Sequence, residues 1–441
     1  MPSIAESVQN LVRPRSGLDL PLPAYDDASL ANVFPTVFER LDRPPAAGPM
    51  LAPALRRDLD PWGGATPPGP VLVFLIDGFG WLAEQRWAAE APGSASRAWA
   101  EHSRPITTVF PTTTTAALTA LCTGTPPARN GVVGYRQFLP RFGVVADLLK
   151  MSPLGAAAFG TLIGPDWTPD LISSAPPVFS RGLRSTVLTR EAFQGSGLSR
   201  VLYDGAEFVG YTTASELAHQ LIQILGRSTP PEVVFAYWDE LDTVQHRRGP
   251  TPALFAFEAD RLAHLVAHVA RGLSPERARS TTFLATGDHG QVPSELDRQI
   301  WIDRIPEIMQ EMAWPLAGDR RCGYFSARPG RVDALRRALE RHLPSGSRIV
   351  DMNAALDAGL FGPPPYHAEV HERLGDLLAL VPVPYGLAYL VPGTPPPRRH
   401  LDGSHGGLET AELLVPLVSG PLRDFGSFSP ERTALEGVGQ R

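Results

Sequence analysis

Acids and imidazoles fall close together at several places in this sequence, and one stretch carries a run of hydroxyls. Asp242 and His246 stand four residues apart in WDELDTVQHRRGP, so on one helical turn both side chains share a face. Asp288 and His289 are adjacent in TGDHGQVP, between Gly287 and Gly290. Glycine on each side lets the backbone come close to a common centre. Asp77 stands before a glycine in VLVFLIDGFG, and His405 lies in the glycine loop DGSHGG. Thr112–Thr115 precede an Ala/Leu-rich helical pattern closed by Gly124. Carboxylate and imidazole donors without thiolate suit a divalent cation: zinc first, with manganese or iron as alternatives. A hydroxyl in the first turn of a helix faces free backbone N–H groups and the positive end of the helix dipole. Beside a metal, that setting favours an alkoxide nucleophile.

Each feature has a plainer reading: Asp77 or a threonine as a helix N-cap, Asp242/His246 as a surface pair, Asp288/His289 as a polar turn. What sets them apart is what precedes them. Val71–Ile76, Glu232–Tyr237 (EVVFAY) and Thr281–Thr286 (TTFLAT) are apolar runs with little or no alternation. Such runs read as strands buried on both faces of a parallel sheet, and open α/β sheets place ligands at the carboxyl ends of their strands. Ile106–Phe110 and Leu413–Val418 read as further strands. The expected fold is therefore α/β, a mostly parallel central sheet flanked by helices on both faces. Two other i, i+4 histidine pairs lack a strand end before them. His264/His268 read as packing residues of an apolar helix, and His367/His371 as a solvated helix face.

The 441 residues divide, on this reading, into three parts. Residues 1–69 form a Pro-rich leader packing on the core, 70–299 and 395–441 the catalytic core, and 300–394 an inserted cap. Residues 140–230, punctuated by Gly and Pro, are expected to be loops and short elements bordering the site. Hydrophobic residues make up 43% of the chain, enough for a sizeable core, and a net charge of −6 gives no basic surface for nucleic acid. Lys150 is the only lysine, which excludes a phosphate-loop or Schiff-base lysine elsewhere. Cys122 and Cys322 make no disulfide framework, and Cys122 reads as core. The N-terminus has no signal-peptide core and no run is long enough to span a membrane, so the expected compartment is the cytoplasm.

Together the strand ends supply Asp77, Asp242, His246, Asp288, His289 and His405, with Thr114 from the threonine run. This is enough for two ions of three or four protein ligands each, the arrangement that serves in-line phosphoryl transfer. The series DGFG, FPTTTTAALTALCTG, DELDTVQHRRGP, TGDHG and DGSHGG resembles the alkaline phosphatase superfamily, nearest its nucleotide pyrophosphatase/phosphodiesterase branch, over residues 71–420. The resemblance implies a nucleophile ten residues before Gly124, which is Thr114. It implies one divalent ion on Asp242, His246 and His405, and another on Asp77, Asp288 and His289 with Thr114. It also implies a substrate-binding Asn beyond the nucleophile helix, for which Asn130 is the nearest candidate, and a small phosphate ester as substrate. The sulfatase pattern is absent, since TAALTA follows Thr114. Phosphomonoesterase, phosphonate hydrolase and a binding relic without turnover stay open at this stage. A monoester pocket would call for an arginine between residues 130 and 185.

Overall fold

The run Val71–Ile76 is a strand with all six residues buried. Alternation along the strand sends Val71, Val73 and Leu75 into one apolar cluster and Leu72, Phe74 and Ile76 into another, on the opposite face. The computed structural model describes residues 4–15, 17–41, 55–90, 93–395 and 400–426. Parts of the expected leader (1–3, 16 and 42–54) and the end of the expected core (396–399 and 427–441) lie outside the described residues.

Val71–Ile76 is the middle strand of seven. The spatial order is 103–107, 414–421, 282–287, 71–76, 232–238, 184–190, 207–211. The last five run parallel to one another, and Leu414–Pro421 runs antiparallel to both of its neighbours. On one face pack the helices Val33–Arg40 and Thr114–Thr123; on the other, Trp81–Glu90, Ser94–Glu101, Ala214–Arg227 and Pro252–Gly272. Every residue of Thr114–Thr123 is buried, which accounts for its lack of a polar stripe, and the helix ends on Gly124 at φ 65°. Cys122 is buried within it.

Register determines what sits at the rim. Ile76 lies opposite both Trp238 and Gly287, so the three central strands leave the sheet at one level. Asp77, Asp239 and Asp288 are the next residues out.

Residues 140–230 hold more of the core than their punctuation suggests, since Arg184–Arg190 and Glu207–Tyr211 are strands of the main sheet. Glu207–Tyr211 is the edge strand, mostly half-buried, and an edge needs no unbroken apolar run. A second sheet is antiparallel throughout, in the order 348–351, 377–380, 322–325, 317–318, 136–139, 144–147, 152–153. It joins part of the 300–394 segment to strands from 136–153 through the single pair Gly318 and Arg136. His264 and His268, expected to pack, are exposed instead, on the solvent side of Pro252–Gly272. No helix among the described residues is long and apolar enough to cross a membrane.

Candidate metal centre

The two glycine-flanked strand exits interlock. A Cβ on Gly287 would run into the Phe79 carbonyl oxygen, and one on Gly290 into the Ala411 carbonyl oxygen. This close fit puts Asp77 beside Asp288. The Gly78 N–H donates to Asp288 Oδ1 at 3.0 Å, and the His289 N–H donates to the same oxygen at 2.9 Å. Asp288 Oδ2 is left buried with no hydrogen-bond partner, as is Asp77 Oδ1. Both oxygens face His289 Nε2, at 3.3 and 3.6 Å.

Asp242 and His246 do share a face of the helix Glu240–Arg248, with Asp242 Oδ2 3.4 Å from His246 Nε2. Of the acids in WDELD, only Asp242 turns to the rim. Asp239 and Glu240 are bound by Arg190 at 2.7 and 2.8 Å. His405 returns from the far end of the chain, its ring stacked on that of His289 with centroids 3.7 Å apart.

The three histidines share one arrangement. Nδ1 of His246 lies 2.8 Å from the Gly403 carbonyl oxygen, that of His405 2.9 Å from Thr112, and that of His289 3.2 Å from Gly290. A carbonyl can only accept, so each Nδ1 carries the proton and each Nε2 presents a lone pair. Yet the Nε2 atoms of His246 and His405 stand 3.2 Å apart, facing each other. Two opposed lone pairs beside orphaned carboxylate oxygens call for a cation between them, and the donor set fits a pair of divalent ions. Ligating atoms of Asp77, Asp288 and His289 lie within 4.8 Å of one another, as do those of Asp242, His289 and His405. His289 is thus central to both groups.

Electrostatics point the same way. Burial first, then the neighbouring Asp242 and Asp288, pushes the Asp77 carboxyl well above the usual range. Burial likewise raises Asp242 and Asp288 and holds His289 and His405 low. Three acids crowded in a dry pocket are costly as anions without added positive charge, and neutral imidazole is the ligating form.

The structure separates the four threonines. Thr112 Oγ1 donates to the Gly407 carbonyl at 3.0 Å and accepts the Gly406 N–H at 2.9 Å, bracing the His405 loop. Thr115 Oγ1 donates to Gly134 at 3.0 Å. The Thr113 hydroxyl is buried and turned toward Asp319. Only Thr114, 9% exposed against 0–1% for the others, points its hydroxyl into the cluster, 3.2 Å from His289 Nε2.

Asn130 is not brought into this cluster. Its amide nitrogen donates to the Thr125 carbonyl at 2.9 Å and its oxygen accepts the Val132 N–H at 2.8 Å, so the side chain closes a local turn. Two positioning residues escaped the sequence reading. Tyr237 donates its hydroxyl to Asp77 Oδ2, and Gln291 donates its amide to Asp242 Oδ1. Both were within reach of a reading. A tyrosine at the carboxyl end of a buried strand must satisfy its hydroxyl, and Gln291 directly follows the Asp-His motif.

A family model described as "Type I phosphodiesterase / nucleotide pyrophosphatase" matches residues 71–407. No curated protein sequence matches the chain. Among solved structures, murine ectonucleotide pyrophosphatase/phosphodiesterase 5 is 18% identical, with 79% of this chain and 87% of that one covered and a TM-score of 0.59. An inactive threonine-to-alanine variant of the murine protein in complex with AMP is 17% identical, with 80% and 88% covered and a TM-score of 0.60. Phosphonoacetate hydrolase from Sinorhizobium meliloti 1021, in complex with phosphonoacetate, is 16% identical, with 80% and 90% covered and a TM-score of 0.57.

Proposed function

This chain belongs to the type I phosphodiesterase/nucleotide pyrophosphatase family, whose members are metal-dependent hydrolases of phosphoester bonds, and on that premise we propose that it is a two-metal phosphodiesterase or nucleotide pyrophosphatase acting through a phosphothreonine at Thr114. The observation that carries the reading is the Thr114 hydroxyl at the first position of its helix, 3.2 Å from His289 Nε2, the same nitrogen that the orphaned oxygens of Asp77 and Asp288 face. That the inactive murine relative was altered at a threonine agrees with a hydroxyl nucleophile.

In this proposal Asp242, His246 and His405 hold one ion, and Asp77, Asp288 and His289 hold the other, with Thr114 next to it. Bound there, zinc ions would supply Lewis-acid polarisation and neutralise charge on the phosphoryl oxygens. Thr114 Oγ1 gives up its proton to solvent water and attacks phosphorus, while the bond to the departing ester oxygen breaks and that oxygen takes the electron pair. Backbone N–H groups at the helix N-terminus bind a non-bridging oxygen. Water then attacks the phosphothreonine: its oxygen bonds to phosphorus, the P–Oγ1 bond breaks, and Oγ1 takes up a proton from water to restore the hydroxyl.

The test is to load the purified protein with zinc and compare initial rates on bis-p-nitrophenyl phosphate and p-nitrophenyl phosphate. The expected result is a strong preference for the diester, with Thr114→Ala lowering kcat by about 10³-fold or more and still binding two ions. A preference for the monoester would replace the phosphodiesterase reading. An unchanged rate in Thr114→Ala would remove the covalent step. Turnover of phosphonoacetate but of neither ester would make the protein a phosphonate hydrolase.

A further inference from the structure

The second sheet carries two arginines to the edge of the metal centre, neither of which has an ion-pair partner among the described residues. Arg136 lies opposite Gly318 in the one residue pair that joins the two parts of that sheet, and Arg320 follows two residues after Gly318. Asp319, between Gly318 and Arg320, packs on the His405 loop, with its Oδ2 3.9 Å from His405 Nδ1 and its Cβ where a Cβ on Gly406 would come within 3.0 Å. The pair is therefore adjacent to the metal ligands.

Both arginines are half-buried. Arg136 Nε is sealed from solvent with no hydrogen-bond partner, and among the described residues its guanidinium makes no ion pair; it lies against the Tyr135 ring at 5.7 Å and in the field of Asp319. Among the described residues the Arg320 side chain makes one long hydrogen bond, 3.4 Å to the neutral Gln299 amide oxygen. Asp147 accepts the Tyr135 hydroxyl at 3.0 Å, and Asp319, whose Oδ1 accepts the Arg320 backbone N–H at 2.6 Å, lends its charge to both guanidinium groups. Burial and the charge of Arg136 both work against the Arg320 cation, with Asp319 opposing them. Two neighbouring guanidinium groups, partly desolvated and sharing the charge of Asp319 without an ion pair to it, are costly unless a further anion joins them. The planar fork of arginine suits the paired oxygens of a phosphate or carboxylate.

We propose that Arg136 and Arg320 form an anion subsite flanking the metal centre, which binds a second anionic group of the substrate, a phosphate or carboxylate beyond the phosphorus attacked. This rests on the phosphoesterase reading for where the reacting phosphorus sits. The anion subsite itself is independent of turnover. A nucleoside triphosphate cleaved at its α-phosphorus would seat its distal phosphates there, and a phosphonocarboxylate its carboxylate.

The test compares kcat/KM of the zinc-loaded protein on ATP, phosphonoacetate and the singly charged bis-p-nitrophenyl phosphate, in wild type, Arg136→Met, Arg320→Met and the lysine versions of both. Wild type is expected to favour at least one of the doubly anionic substrates. Each methionine variant should cut that preference about tenfold or more, chiefly through KM, and each lysine variant should keep part of it. Loss on ATP alone assigns the subsite to phosphate, and loss on phosphonoacetate alone to carboxylate. A preference that survives both methionine variants, or a wild type that favours bis-p-nitrophenyl phosphate, overturns the proposal. If wild type turns over none of the three, the phosphoesterase reading fails. The subsite is then judged by calorimetric titration with inorganic pyrophosphate. Binding about tenfold weaker in the methionine variants upholds it, and equal binding overturns it. Because lysine keeps the charge and the measurements are ratios, a loss of fold in one variant does not decide the outcome.

Discussion

The rim of the parallel sheet and the facing edge of the antiparallel sheet are built in different ways. At the rim, acids and imidazoles follow directly on three neighbouring strands whose register ends together at Ile76, Trp238 and Gly287. Main-chain pairing has already placed Asp77 next to Asp288 before any side chain is chosen. At the facing edge, Arg136 and Arg320 are brought side by side by one long-range residue pair, Gly318 with Arg136, across about 180 residues of sequence. The rim gathers negative groups that need a cation, and the edge gathers positive groups that need an anion. One half of the site is thus suited to metal and the other to what the metal acts on.

That division gives the largest expected effect. Replacing Asp242 or His405 with alanine should lower bound metal from two ions to one per chain by elemental analysis and reduce turnover by about 10³-fold or more. Arg136→Met should leave the metal count at two. Retention of both ions in Asp242→Ala, or loss of one in Arg136→Met, would erase the distinction between the two halves.

A smaller effect is expected one step behind the ligands. Tyr237→Phe removes the hydroxyl that holds Asp77 Oδ2 but keeps the ring in the strand. Metal affinity should fall about 10–100-fold, with both ions still bound at saturating zinc. Unchanged affinity in a competition titration would mean that the interlocked glycine turns alone orient Asp77.

The same contrast explains what could be read from the sequence. Buried parallel strands announce themselves as apolar runs, and Asp77, Asp242, His246, Asp288, His289 and His405 lie within a few residues of a strand or in a glycine loop. The choice among four threonines rested on spacing, and the structure separates them by where each hydroxyl points. Asn130 was picked for nearness in sequence, but a buried amide next to a turn is used first by the turn's own backbone. Strand 207–211 escaped because an edge strand needs little apolar patterning, and 184–190 (RSTVLTR) because its serine and threonines break the apolar run of a strand that is buried along most of its length. The second sheet escaped because nothing local in residues 136–153 records a pairing with 317–318. Arg136 falls in the 130–185 window, but the arginine expected there belongs to a monoester pocket and not to a subsite beyond the reacting phosphorus, and Arg320 has no signal at all.

The effect furthest from turnover comes from a buried acid outside the metal centre. Glu84, in the helix Trp81–Glu90, is fully buried; its Oε2 accepts from Ser103 and Gln85 at 3.0 and 3.1 Å, and its Oε1 has no partner. Burial pushes its pKa up to about 7, with those two hydrogen bonds opposing. A folded-state value above the unfolded one means that folding takes up a proton between about pH 4.5 and 7. The stability this contributes is complete below the unfolded value and is lost as pH rises through 7. Glu84→Gln cannot ionise, so its advantage over wild type should be slight near pH 4.5, grow to neutrality and level off above it. A shift of that size corresponds to about 3 kcal/mol at the plateau. Thermal unfolding of the two proteins from pH 4.5 to 8, at fixed zinc, checks this. A difference that does not change with pH would mean that Glu84 is ionised in the folded state, and that burial alone does not hold a carboxyl neutral in this core. In that case the raised pKa values at the rim would no longer argue for a cation there, and the metal assignment would rest on the opposed histidine lone pairs and the orphaned oxygens.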